Sequence, residues 1–404
     1  MLAKLDSSLR QYLIVTGNYW LFTLTDGALR MLVVLYFHQL GYGALDIALL
    51  FIFYEFFGVV TNLIGGWLGA QIGLNRTMQI GLGLQVFALV MLTVPESMLT
   101  IVWVMAAQAL SGIAKDLNKM SAKSSIKGLI PAGENTKLYK WVAILTGSKN
   151  TLKGVGFFLG ALLLFIFGFS QSMWILASVL GVGALLSGIY LNENLGVASR
   201  KPKFKDVWSK SRALNLLSLA RMLLFSARDI WFVVALPVFL SSKLLWSPWT
   251  VGAFMACWVI IYGIVQAMAP VITKGNSSQS SSVFRWGGIL TTVTLLLALV
   301  FGLQPNDSSY FDVILIIGLL AFGFTFAINS SLHSFLIIAM AKSDGVSLDV
   351  GFYYMANALG RLLGTVLSGF LYQQYGLAVC LWGSAVLLLL ATITVKYVPK
   401  VNHN

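Results

Sequence analysis

Apolar runs of roughly 20 residues follow one another along nearly the whole 404-residue chain. At ~1.5 Å per residue, each can cross ~30 Å of hydrocarbon as a helix. No other feature constrains the fold so tightly. Inside a bilayer every backbone amide must be satisfied within its own segment or within a closed barrel. Barrel strands would read as ~10-residue stretches of alternating polarity, and no such alternation is present. The expected fold class is therefore an all-α membrane protein. Only 10% of residues are charged, against about a quarter in soluble chains. Residues 1–12, "MLAKLDSSLRQY", enter the first run without a small-residue cleavage site, so no cleavable leader is expected.

Twelve transmembrane helices are expected, at about 13–38, 46–69, 77–95, 98–120, 139–168, 172–191, 214–240, 249–272, 286–303, 312–340, 351–373 and 378–396. The polar stretch 192–213, "NENLGVASRKPKFKDVWSKSRA", divides them into a six-helix half at 1–191 and another at 214–404. With the N-terminus inside, and residues 115–153 set aside, the inside segments carry fourteen Lys and Arg and the outside connections one, Lys243. The positive-inside rule then puts both termini and the 192–213 linker in the cytoplasm. The net charge of +13 partly reflects this bias, so the implied partner is a lipid bilayer and no nucleic acid is needed. Cys257 and Cys380 lie alone in apolar runs and the three histidines are scattered. No metal site, cofactor or disulfide is expected.

The halves echo each other. "FYEFFGVVTN" (53–62) resembles "CWVIIYGIVQ" (257–266), aligning Gly58 with Gly263 at an offset of 205. "NTLKGVGFFLGALLLFIFGF" (150–169) resembles "NALGRLLGTVLSGFLYQQYGL" (357–377), aligning Asn150 with Asn357 at 207. A duplicated six-helix unit is the layout of major-facilitator transporters, whose substrates bind near the midplane. The loop "GGWLGAQIGLNRT" (65–77) resembles the signature of that fold at Gly66, Gly69, Gly73 and Arg76, with Ala70 where the signature has an acid.

Charges within the runs point to a function, because a charge at bilayer centre costs ~2.5–3.5 kcal/mol even on the lenient scale. Asp26 and Arg30 are four apart, on one face of the first span. They either neutralise each other or face a cavity. Arg221 and Arg228 share a face of the seventh span, with Asp229 as a local partner. Arg361 lies one turn after Asn357; Glu55 shares a face with Asn62, and Asn329 with His333. Lys115, Lys119, Lys123 and Lys127 recur every four residues, and Lys149 and Lys153 lie one turn apart. Lys123, Lys127, Lys137 and Lys140 read as solvated loop lysines. Lys115, Lys149 and Lys153 read either that way or as cavity-lining, since apolar turns flank them.

Arg30, Arg221, Arg228, Arg361, Lys115, Lys119, Lys149 and Lys153 thus face Asp26, Glu55, Asp116 and Asp229, eight cations against four anions. A positive cavity favours a multiply charged anion, and Arg forks match phosphate-like oxyanions. The sequence contains no nucleotide-binding loop, paired-His metal motif or nucleophile elbow, which argues against an enzyme or receptor. Without an ATP-binding module, transport would draw on an ion gradient, with Asp26 and Glu55 as candidate proton carriers.

"GNYWLFTLTDGALRMLVVLYFHQLGY", "FYEFFGVVTNLIGGWLGAQIGLNRTM", "ALSGIAKDLNKMSAKSSIK" and "YKWVAILTGSKNTLKGVGFFLG" closely resemble the organoarsenical efflux permeases called ArsJ, of the major facilitator superfamily. The resemblance is strong over residues 10–160 and looser beyond. It implies an exporter in the bacterial inner membrane that confers arsenate resistance. Its substrate would be 1-arseno-3-phosphoglycerate, made when glyceraldehyde-3-phosphate dehydrogenase uses arsenate in place of phosphate. Two separated basic clusters would suit the two tetrahedral ends of that molecule. Candidate substrate-binding residues are the eight cations with Asn150 and Asn357. Trivalent arsenic would prefer thiolates, which two isolated cysteines do not supply. The alternative is a transporter of another organophosphate or sugar phosphate. A monomer is expected.

Overall fold

The computed structural model describes residues 7–42, 50–131, 133–191, 198, 211–246, 248–274, 280–303 and 311–399. Most of the expected linker, including Arg200, Lys201, Lys203, Lys205 and Lys210, lies outside the described residues, as do Lys4 and Lys400. The regular structure described is helical throughout. The helices are α1 (Ser7–Gln39), α2 (Ile52–Ile72), α3 (Leu74–Met91), α4 (Ile101–Leu129), α5 (Asn135–Phe167), α6 (Phe169–Tyr190), α7 (Arg212–Phe232), α8 (Ala235–Ser242), α9 (Pro248–Ile272), α10 (Ser280–Leu303), α11 (Phe311–Met340) and α12 (Val346–Lys396).

Each expected span corresponds to a helix. The seventh is α7 with α8. The last two are α12, which Gly376 breaks at φ 79°. Gly168 separates α5 from α6 in the same way, at φ 75°. Both positions need a left-handed backbone, which glycine adopts without a Cβ penalty. Among the described residues, nine helical stretches are long and apolar enough to cross a membrane; α3 and α4 fall outside that set. Phe165 is 89% exposed while Gln85 and Asp229 are fully buried, the distribution expected of a chain that faces lipid.

One expectation changes here. The polar stretch 121–138 is not a loop: α4 continues to Leu129, and the next helix begins at Asn135. Ser121, Ser124, Ser125 and Ile126 are buried, and Ser125 returns its hydroxyl to the Ser121 carbonyl at 2.8 Å. Small side chains that bond back to their own helix lower the cost of burying a polar segment.

The chain forms two compact units. The first comprises Met1–Trp141, Ser148–Ser209 and Ala341–Met355; the second comprises Val142–Gly147, Lys210–Met340 and Ala356–Asn404. Each is held by helix crossings at small residues, where backbones can approach. In the first unit, a Cβ on Gly156 of α5 would stand 2.7 Å from the Leu24 carbonyl of α1, and Gly160 lies against Ala28. A Cβ on Gly351 there would meet the Asn62 carbonyl at 2.5 Å and the Gly66 Cα at 2.9 Å. In the second unit, Gly360 lies against Met222, and a Cβ on Gly364 would stand 2.7 Å from the Ser226 carbonyl. Gly147 there lies against Gly263 and Ala267. An aromatic core with Trp231 edge-on to Phe322 at 4.9 Å fills the second unit.

These crossings give the register of the internal repeat. Gly147, Gly156 and Gly160 correspond to Gly351, Gly360 and Gly364, all at an offset of 204. Leu24 and Ala28 correspond to Met222 and Ser226 at 198, and Asn62 and Gly66 to Gly263 and Ala267 at 201. The side-chain alignments at 207 and 205 are therefore displaced by about one helical turn. Lys153, not Asn150, is the counterpart of Asn357, and Asn62, not Gly58, that of Gly263. Backbone approach fixes the crossing, whereas a shared asparagine does not. At the offset of 198, Arg30 is the counterpart of Arg228.

Candidate functional site

In the first unit, the charges of α1, α2 and α4 form a continuous chain. Arg30 donates to Glu55 at 2.9 Å. The Glu55 carboxylate is 3.9 Å from the Lys115 ammonium, which is 3.5 Å from Asp116. Lys119 then donates to Asp116 from one turn further along α4. Gly58 makes room for that carboxylate, since a Cβ there would lie 2.8 Å from its Oδ2.

Tyr54 sits at the centre of the chain and is fully buried. Its hydroxyl donates to Asp26, 2.8 and 2.9 Å from the two carboxylate oxygens. Its ring lies 3.9 Å from the Arg30 guanidinium and 3.9 Å from the Lys115 ammonium. Cation–π contacts contribute about 0.5–2 kcal/mol each, more when desolvated. Of the two readings, mutual neutralisation is not the one seen: Arg30 takes Glu55 from the next helix, and Asp26 takes a neutral hydroxyl. Helical spacing put Asp26 and Arg30 on one face, but the α1–α2 packing inserts Tyr54 beside them.

The α4 lysine stripe continues inward. Lys123, expected to be solvated, is 3% exposed and donates to the Tyr354 hydroxyl at 2.6 Å. Lys127, also expected to be solvated, is only partly exposed and donates to the Ala341 carbonyl. The ring of Tyr354 also lies 5.0 Å from the Lys119 ammonium. Helix α4 is longer than composition suggested, so the stripe runs against the Ala341–Met355 segment rather than into water. Lys137 and Lys140 are exposed as expected, and Lys137 pairs with Glu134 at 3.2 Å. On α5, Lys149, Asn150 and Lys153 are half-buried. Lys153 lies 5.9 Å from the Phe157 ring, and its carbonyl would meet a Cβ on Gly27 at 2.8 Å.

The second unit has its own arginine cluster. Arg221 is 3% exposed. It donates to Asn357 at 3.0 Å, to the Ser330 carbonyl and hydroxyl at 3.0 Å, and to Ser334 at 3.4 Å. Gln266 and Tyr262 donate to the same Ser330 hydroxyl. Arg221 and Asn357, singled out separately, are therefore brought together. Arg228 donates to Asp229 at 2.6 Å, and Arg361 to the other oxygen of Asp229 at 3.4 Å. Asp229 itself is fully buried. The Arg228 guanidinium lies 4.7 Å from the Phe225 ring and 5.5 Å from Phe326. Asn329 is turned away to the Val283 carbonyl at 3.0 Å, and Asn62 bonds back to Gly58.

Tyr54, Tyr354, Ser330 and Phe225 escaped the reading of the residues. A tyrosine or serine in an apolar run is usual at a helix contact, and only the contact shows which charge it serves. The repeated spacing Gly-x8-Gly-x3-Gly at 147–160 and 351–364 would have supplied the correct register.

The family profile described as Major Facilitator Superfamily matches residues 15–274. Among curated proteins, nothing matches the chain. Among solved structures, the fold is similar to that of a human organic anion transporter, MFSD10 (TETRAN). The two are 16% identical, with 95% of this chain and 99% of that one covered and a TM-score of 0.74. It is also similar to a bacterial homologue of the iron transporter ferroportin, at 14% identity, 97% and 99% coverage and a TM-score of 0.75. A third is the major-facilitator transporter FucP, at 11% identity, 98% and 100% coverage and a TM-score of 0.75. With the profile spanning well over half of the sequence, this multi-pass membrane protein belongs to the major facilitator superfamily of transporters.

Proposed function

We propose that the protein is a gradient-driven exporter of a small organic anion bearing phosphate-like oxyanions, and within that class of 1-arseno-3-phosphoglycerate. The observation that carries the anion is the sharing of carboxylates. Arg228 and Arg361 lean on the single carboxylate of Asp229, and Arg30 and Lys115 both reach Glu55. Among the described residues the buried Arg30 Nε–H has no hydrogen-bond partner, and guanidinium forks favour phosphate or arsenate geometry. The resemblance to ArsJ permeases at residues 10–160 narrows the anion to the organoarsenical. Glyceraldehyde-3-phosphate dehydrogenase would supply it on the cytoplasmic side. The setting is the bacterial inner membrane, with both termini cytoplasmic and the protein acting as a monomer.

Inverted membrane vesicles containing the protein test this reading. Glyceraldehyde-3-phosphate, NAD and the dehydrogenase are added outside with arsenate, and arsenic accumulated inside is measured with and without a pH gradient. Uptake is expected only with the complete mixture, and is expected to fall at least tenfold in Arg228→Gln and Lys115→Gln. Uptake of 3-phosphoglycerate without arsenic would move the assignment to another organophosphate. Failure of both anions to enter would overturn it.

A further inference from the structure

The three acids of the first unit's cluster are not alike. Asp26 is buried and held by Tyr54. Asp116 is buried and takes two lysines. Glu55 is the most exposed of the three, its side chain 36% accessible, yet it sits between Arg30 and Lys115, whose side chains are 19% and 15% accessible. Its carboxylate thus occupies the place that a ligand oxyanion would take, at the open edge of the cluster. Among the described residues, the second unit has no such device. Its shared carboxylate, Asp229, is fully buried, and the counterpart of Glu55 at the offset of 201 is Ala256.

We propose that Glu55 is a tethered competitor, a carboxylate that fills the Arg30–Lys115 oxyanion site until a doubly charged phosphate or arsenate group displaces it. The inference deepens the anion-transport reading and rests on it. Its consequence is selectivity. A side chain tethered one helix away competes at an effective concentration in the millimolar range or above. A free monocarboxylate offers the site the same group and no tether, so it loses. A phosphate-like dianion brings more charge and three acceptor oxygens, and makes charge-assisted bonds to both cations. The empty site therefore stays closed to abundant small carboxylates.

Binding to the purified full-length protein in lipid-free detergent tests the proposal, with 3-phosphoglycerate and acetate as probes. Because the occupied fraction of the site lowers apparent affinity in proportion, Glu55→Gln is expected to bind 3-phosphoglycerate about tenfold more tightly. It should also gain measurable acetate binding that the wild type lacks. Arg30→Gln should lose affinity. A second measurement needs no variant: modification of Glu55 by a hydrophobic carbodiimide, followed by mass spectrometry, should rise several-fold on adding 3-phosphoglycerate while Asp26 stays unchanged. Unchanged or weaker binding in Glu55→Gln, or protection of Glu55 by the probe, overturns the proposal while leaving the anion reading in place. Absence of 3-phosphoglycerate binding in the wild type and in every variant also overturns the proposal, while the anion reading then stands or falls on the vesicle assay.

Discussion

Adding one methyl group at Gly360 tests whether the crossings described above hold each unit together. A Cβ there meets backbone atoms of Met222, whereas a Cβ on Gly369, nine residues along the same helix, has nothing within 4 Å. The chemical change is identical at both sites. Alanine favours a helix over glycine by about 1 kcal/mol, and overpacking costs about 1–3 kcal/mol. At Gly360 the obstacle is main chain, which cannot rotate aside, so the upper end applies and the net loss is about 2 kcal/mol. At Gly369 only the gain remains. For a cooperative unit of this size, 1 kcal/mol moves Tm by about 2–4 °C. Gly360→Ala should therefore lower Tm by about 4–8 °C and Gly369→Ala raise it by about 2–4 °C. Thermal unfolding of the detergent-solubilised protein, followed by tryptophan fluorescence, reads both. The repeat predicts the same contrast between Gly156, where a Cβ would stand 2.7 Å from the Leu24 carbonyl, and Gly181, where a Cβ has nothing within 4 Å. Equal tolerance at Gly360 and Gly369 would refute the crossing geometry and the 204-residue register with it.

Asp229→Asn should destabilise the second unit by about 3 kcal/mol, because two guanidinium groups lose a buried carboxylate; loss of folded protein on heating is the readout. Lys123→Met should lower stability by about 1–2 kcal/mol by removing the buried hydrogen bond to the Tyr354 hydroxyl, while Lys140→Met, at an exposed position, should leave Tm unchanged. Arg30→Lys should reduce vesicle transport at least tenfold, since an ammonium lacks the planar fork. The double change Asp26→Asn with Arg30→Gln should stay inactive, because Asp26 is held by Tyr54 rather than by Arg30; recovered transport would return the pair to a structural role. A reporter fused after Asn404 should work only if it requires the cytoplasm, and periplasmic activity would overturn the proposed orientation.

The sequence by itself determined the fold class, because twenty-residue apolar runs leave the backbone no other way to satisfy its amides in hydrocarbon. It also singled out the unusual charges, since each is expensive in that setting. Helical periodicity says which residues share a face, and Asp26 with Arg30 is such a pair. It cannot say which face another helix will cover, and there the structure decided: Tyr54 takes Asp26, Glu55 takes Arg30, and Lys123 is drawn inside against Tyr354. The end of α4 shows the same division. "SAKSSIK" reads as a polar loop by composition, yet it is a buried helix, because serines bond back to their own turn and the lysines find acceptors on a segment more than two hundred residues away. The register of the repeat was written in the glycine spacing all along, but a shared asparagine and the match of Gly58 with Gly263 masked it. Within a helix, a glycine differs from any other small residue most where backbones touch, and that contact is a property of two helices together.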